Sequence, residues 1–199
     1  MAYFFLLFFG CKPYAGFQWQ NGDIIFQQSQ SSQGEELRLA TKSNYTHLGI
    51  IYIENNKTFV FEAGKNVQLT PLEKFIKRGK KKHYVVKRLK NANEILTTEN
   101  LKKLKKAGES FAGKSYDIYF KWDDNLIYCS ELVWKLYKRA LNIELAKLEK
   151  YKDFDLNHPK VAYLLKKRHG KNLPLDETVI SPVGIFNSNL LTTVFSNKE

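Results

Sequence analysis

An α+β fold is what this sequence predicts. Runs of β-branched and aromatic residues, separated by turn formers, fill the first half of the chain, and apolar residues at helical spacing dominate the second. At 199 residues, 43% hydrophobic and 14% aromatic, the chain can bury one core and is too rich in rings to be disordered. Neither a repeat nor a low-complexity tract interrupts it, so residues 11–199 read as a single domain.

Residues 21–28, NGDIIFQQ, form a turn and a short strand. SSQGEELRLATKS (31–43) is a short helix with Leu37 and Ala40 on one face. THLGIIYIENNKTFVFEAG (46–64) is a β-hairpin, because two apolar runs flank ENNK and Asn tolerates the positive φ of a tight turn. TPLEKFIKRG (70–79) carries the signals of a capped helix: Thr70 as N-cap, Pro71 in the first turn, Glu73 completing a capping box and Gly79 as the stop. HYVVKRL (83–89) is a strand, and TTENLKKLKKAGESFAG (97–113) an amphipathic helix with Leu101, Leu104, Gly108 and Phe111 on one stripe. From Cys129, the residues Leu132, Val133, Leu136, Tyr137 and Ala140 recur at the spacing of a helix burying one face. HPKVAYLLKKRHG (158–170) is a further helix, and ETVISPVGIF (177–186) is strand or extended coil.

A net charge of +12 and a pI near 9.5 favour anionic partners, an anionic membrane surface among them. The lysine runs at 78–83, 101–106 and 165–171 are solvated faces in the simplest reading. No zinc-finger, RNA-binding or helix-turn-helix signature stands out, so nucleic acid is not the expected partner. MAYFFLLFFGC is too short to span a bilayer, which takes about 20 apolar residues. It reads as an export signal over residues 1–10 ending at a lipoprotein site, with Cys11 lipidated and the mature protein anchored in the bacterial cell envelope. The absence of Lys or Arg before the run, and bulky Phe8 and Phe9 before Gly10, fit a packed N-terminal element instead, in which case the chain is cytoplasmic.

Cys129 is either a small buried hydrophobe or a nucleophile. It opens a helix, where unpaired N–H groups favour a thiolate. That field is worth about 0.3–2 kcal/mol, and one pKa unit corresponds to about 1.4 kcal/mol. The helix alone therefore moves a thiol by about one unit, and a catalytic cysteine needs a second partner such as an imidazolium. Of the four histidines, His83 follows three lysines, His158 precedes Pro159 at a helix entrance, and His169 closes a helix, where a cation suits the dipole. His47 begins an apolar strand, as a core histidine or as a base. Glu62 lies on the partner strand, about as far from the hairpin turn as His47, so the two share one end of the ladder and the carboxylate can orient the imidazole.

GDIIFQ, SNYTHLGIIY, FVFEAGKNVQLTPLEKFIKRG, AGKSYDIYF and YCSELVWKLY, in that order over about residues 20–186, together resemble the circularly permuted, NlpC-like cysteine hydrolases of the YiiX/YaeF type. The resemblance implies a permuted papain-like fold in which His precedes Cys, with Cys129 as nucleophile, His47 as base and Glu62 orienting the ring. Tyr116 in GKSYD matches a family tyrosine near the nucleophile, a substrate- or oxyanion-positioning group or else a core residue. The implied activity is cleavage of an amide or ester, acyl-lipid-like or cell-wall peptide, through an acyl-enzyme. A thiol acyltransferase, or an envelope lipid-binding lipoprotein without activity, fits the same residues. The reaction requires neither metal nor cofactor, and no metal-ligand cluster is evident in the sequence.

Overall fold

The computed structural model of the chain describes residues 17–197. The apolar run 1–10 and Cys11 lie outside the described residues. No described helix is long and apolar enough to cross a membrane. In chain order the elements are β1 (Ile24–Ser29), α1 (Ser32–Thr41), β2 (His47–Glu54), β3 (Lys57–Ala63), β4 (Val67–Pro71), α2 (Leu72–Arg78), β5 (Gly79–Leu89) and α3 (Ala92–Ile95). They continue with α4 (Thr98–Glu109), α5 (Cys129–Leu141), β6 (Glu149–Lys150), α6 (Pro159–His169), β7 (Thr178–Val179), α7 (Pro182–Phe186) and β8 (Leu191–Ser196).

Six of these strands form an antiparallel sheet in the order β4-β3-β2-β1-β5-β8, and β6 pairs with β7 apart from it. β1 and β2 sit in the middle, which explains why both are apolar at successive positions: each face of the sheet is covered. Ile24, Phe26, Leu48, Ile50 and Phe61 point into the main core with Leu104, Leu132, Val133 and Leu136. Ile25, Ile51 and Val60 point the other way, onto Phe75 and Ile76 of α2, with Phe17 and Trp19 packed alongside. α5 is buried on nearly every side over Cys129–Tyr137, as expected for a helix enclosed in a core rather than laid on a surface. Burying each of its large apolar side chains contributes about 1.5–3 kcal/mol.

The hairpin forms as its sequence predicts. Ile50 pairs with Phe61 and Glu54 with Lys57, and the two turn residues Asn55 and Asn56 take φ of 50° and 59°. Elsewhere tertiary pairing overrides local signals. Thr70 does not cap a helix: β4 pairs along β3, Thr70 opposite Val60, and the helix starts one residue later behind Pro71 with no side-chain cap. β5 begins at Gly79, directly where α2 ends, rather than at residue 83. The stretch 177–186 is extended only over Thr178–Val179, after which Ser181 caps α7 with Pro182 in its first turn. The C-terminal strand β8 completes the sheet beside β5, so strands are not confined to the early part of the chain.

Candidate active site

The start of α5 is fixed from three directions. Tyr128 precedes it in extended conformation and its N–H donates to Glu131 Oε2 at 3.3 Å. The Tyr128 hydroxyl accepts the N–H of Ile180 at 3.1 Å, and the Ser130 hydroxyl donates to the Ile180 carbonyl at 2.7 Å. Glu131 is itself buried and paired with Lys135 at 2.6 Å; burial drives its pKa up to about 8 even against that partner. Cys129 is therefore held at the helix N-terminus, 1% exposed and aimed at the first residues of β2.

His47 opens β2. Its Nε2 lies 2.5 Å from Glu62 Oε2, which leaves Nδ1 as the ring nitrogen free to serve the Cys129 sulfur, close enough for each group to shift the other's pKa. Phe75 stacks on the imidazole, with ring centroids 5.6 Å apart and planes at 27°. Glu62 is fully buried; its Oε1 accepts from Arg78 Nη2, and the Thr70 hydroxyl is near enough to help lower its pKa. The approach of β3 to β2 depends on Gly49, where a Cβ would meet the Val60 side chain and would lie 2.8 Å from the Phe61 carbonyl oxygen and 3.1 Å from Glu62 Cβ. Gly49→Ala is expected to destabilise the fold by about 1–3 kcal/mol through overpacking and to displace Glu62, a change measurable as a lower thermal midpoint together with reduced activity.

The charges reinforce one another. Burial alone would raise the Cys129 thiol, but the charge and hydrogen bond of His47, helped by Tyr116 and the Leu48 N–H, hold it below its ordinary value. Burial alone would discharge the His47 ring, yet the Cys129 charge and hydrogen bond and the Glu62 contact raise its pKa to about 9. Glu62 would likewise be raised by burial, and His47, Thr70 and Arg78 together bring it down to about 2. Cys129 and His47 thus each favour the charged form of the other, and Glu62, held by Arg78, favours the charged ring. Tyr116 places its hydroxyl 3.9 Å from Cys129 Sγ, beside the start of α5. Burial and the neighbouring sulfur raise this phenol far above its usual pKa, so it stays protonated as a donor.

Two clefts flank this point. One, about 820 Å³, has mostly polar and charged residues along its border, among them Gln27, Ser31, Lys65, Arg78, His47 and Tyr116. The other is apolar, bordered by Cys129, Phe120, Tyr151, Leu165, Val179 and Ile180. Leu37 of α1 borders both. Thus Cys129, His47, Glu62 and Tyr116, all singled out in the sequence, come together. The other histidines are engaged elsewhere: His83 with Asn197, His158 as the cap of α6, and His169 against Tyr119 and Tyr151, where burial and Arg168 lower its pKa and leave it a poor dipole cation. Arg78 and Thr70, which also act on Glu62, carry no such signal in the sequence, where one reads as a helix-ending cation and the other as a cap.

A helix-borne cysteine facing an imidazole from an antiparallel sheet, with His and its carboxylate earlier in the chain than Cys, defines the papain-like architecture in permuted order. Residues 18–195 match the family described as permuted papain-like amidase enzyme, YaeF/YiiX, C92 family, and the chain belongs to that family. It is 46% identical over 182 residues to the uncharacterized protein YiiX of Escherichia coli (strain K12), covering 92% of this chain and 89% of that one. The crystal structure of metalloprotein YiiX from Escherichia coli O157:H7 superposes with a TM-score of 0.86 at 46% identity, covering 90% of this chain and 98% of that one. Among the residues described here, no group of three or more His, Cys, Asp or Glu side chains is placed to hold a metal ion. Cys129, His47 and Glu62 form a line with the ring in the middle, not a cage.

Proposed function

We propose that this chain is a cysteine amidase or esterase that cleaves an acyl amide or ester through a thioester acyl-enzyme. The observation that carries this reading is the connected line Arg78–Glu62–His47–Cys129 ending at a helix N-terminus. The Cys129 thiolate attacks the carbonyl carbon, and the oxygen gains negative charge near the Tyr116 hydroxyl and the backbone N–H groups of the helix start. As the tetrahedral species collapses, the carbon–nitrogen or carbon–oxygen bond breaks and the His47 imidazolium gives its proton to the departing amine or alcohol. The neutral ring then takes a proton from water, the hydroxide adds to the thioester, and the released carboxylic acid restores the thiolate–imidazolium pair. Glu62 keeps the ring aimed and its charged form favoured, and Arg78 holds Glu62 in turn.

The cleft that Cys129 borders is narrow, about 50 Å³, and its lining is almost wholly apolar, a chemistry that favours an acyl-chain substrate over a peptide crosslink once the cleft widens around it. A charge of +12 suits work at an anionic membrane surface, with an anchor at Cys11 bringing the enzyme there. The test uses p-nitrophenyl octanoate. An octanoyl adduct on the Cys129 peptide, seen by mass spectrometry and lost with time in water, supports the reading; release of nitrophenol without any adduct contradicts it. Glu62→Gln is expected to lower kcat by about 10²–10⁴-fold, since an amide neither orients nor charges the ring as a carboxylate does. Full activity in that variant removes Glu62 from the machinery.

A further inference from the structure

The two clefts differ in chemistry, and the reacting groups are divided between them. Cys129, which would carry the acyl group, borders the apolar one; His47, which would protonate the leaving group, borders the polar one with Tyr116. An amide or ester bound for attack therefore lies across the boundary at Leu37, its acyl part on the apolar side and its leaving group on the polar side.

The polar cleft has one sign of charge. Its charged lining side chains are Lys65, Arg78 and His47, and no Asp or Glu is among the described residues that border it. Glu62, the nearest carboxylate, is buried behind His47 and already engaged by it and by Arg78. Arg78 is half-exposed, rests on the Phe75 ring at 5.8 Å, and among the described residues gives its side-chain hydrogen bond to Glu62 alone. A guanidinium has five N–H donors; Nη1 runs along Gly64, 3.6 Å from where a Cβ would stand, on the wall of the cleft. Lys65 is exposed, and its backbone is fixed at the same wall, its carbonyl accepting the Tyr116 N–H at 3.1 Å. Among the described residues it makes no ion pair of its own. Gln30, Ser31 and Asn66 border the same cleft, with the Gln30 and Asn66 amides donating to backbone carbonyls and Ser31 capping α1.

We propose that Lys65 and Arg78 form an anion subsite for the leaving group, so that the enzyme's substrates are acyl compounds whose amine or alcohol part carries a carboxylate or phosphate. This rests on the hydrolase reading above and adds the substrate's polar half to it. Such a group takes two oxygens' worth of hydrogen bonds from a preoriented guanidinium, with the ammonium supplying charge. One substrate would then span an apolar and an anionic recognition element with the scissile bond between them.

The test separates this subsite from the chemistry. N-octanoylglycine and N-octanoylglycinamide differ only in the leaving group's charge. In the wild type at low salt, kcat/KM for the carboxylate is expected to exceed that for the amide by about ten-fold or more; the ratio falls at least five-fold in Lys65→Gln and drops below one in Lys65→Glu. Alkylation of Cys129 by iodoacetate and iodoacetamide gives the same comparison without turnover. The iodoacetate-to-iodoacetamide rate ratio is expected to fall in the order wild type, Lys65→Gln, Lys65→Glu, and the differences to shrink at high salt. The imidazolium adds to all three ratios equally, so the change between variants isolates Lys65. An alkylation ratio indifferent to Lys65 overturns the subsite even if both amides are hydrolysed. A graded alkylation ratio with neither amide hydrolysed supports the subsite and counts against amide hydrolysis instead.

Discussion

Cys129→Ala is expected to abolish hydrolysis, by about 10⁴-fold or more, and to leave the protein folded. The side chain is small, 1% exposed and at the first position of α5, and alanine is the best helix former, so the exchange removes little more than a sulfur atom from the packing. What is lost is the sulfur nucleophile that would carry the acyl group. Catalytic residues that act as a unit are strongly non-additive, so removing the nucleophile alone costs nearly as much as removing the whole set. A progress curve with an acyl ester or amide, alongside a thermal melt within a few degrees of wild type, checks both halves. Substantial activity in Cys129→Ala would mean that the sulfur is packing, as its burial by itself suggests.

His47→Gln is expected to cost about as much activity and, unlike the first variant, to change the pH dependence of what remains. In the wild type, activity should rise with pH as the Cys129 thiol ionises, at a pH below the ordinary thiol value, because His47 stabilises the thiolate. It should fall again through about pH 9 as the imidazolium loses the proton that the leaving group needs. Cys129 carries a lowered pKa and His47 a raised one, so the active pair exists only between the two and the profile is a bell. In Glu62→Gln, where one of the groups raising His47 is gone, the alkaline limb should move toward lower pH. Without the ring, the acidic limb moves toward that of a free thiol and the bell disappears. A profile of kcat/KM against pH for the wild type and the two variants measures this.

The parts of this site that the sequence declares are those whose geometry is set locally. Spacing from the Asn55-Asn56 turn places His47 and Glu62 at one end of the hairpin because strand registry is counted outward from a turn. Helical periodicity places Cys129 in the first turn of α5 and its following apolar residues in the core. Thr70 and Arg78 are different. Thr70 stands in a Thr-Pro-x-Glu pattern that predicts a capping box, yet pairing with β3 keeps it extended, opposite Val60 and near the Glu62 carboxylate. Arg78 looks like a cation placed for the dipole of α2; its partner is 16 residues away on another strand, and no local pattern announces it. The run SPVGIF carries apolar residues suited to a strand, but Ser181 and Pro182 begin α7, a cap signal that outweighs the pattern. β8 goes unread for a related reason, since its value lies in closing the sheet beside β5, a contact made about a hundred residues away in sequence.

On the proposed mechanism the Cys129 sulfur is ionised by the ring that opens β2. The most direct measurement is the pH dependence of its alkylation by iodoacetamide in the wild type and in His47→Ala. The wild type is expected to titrate well below a model thiol, and His47→Ala to return toward it, keeping only the shift of about one unit or less that a helix terminus provides. A wild-type profile that coincides with a model thiol, or one that the loss of the imidazole does not move, would contradict the account.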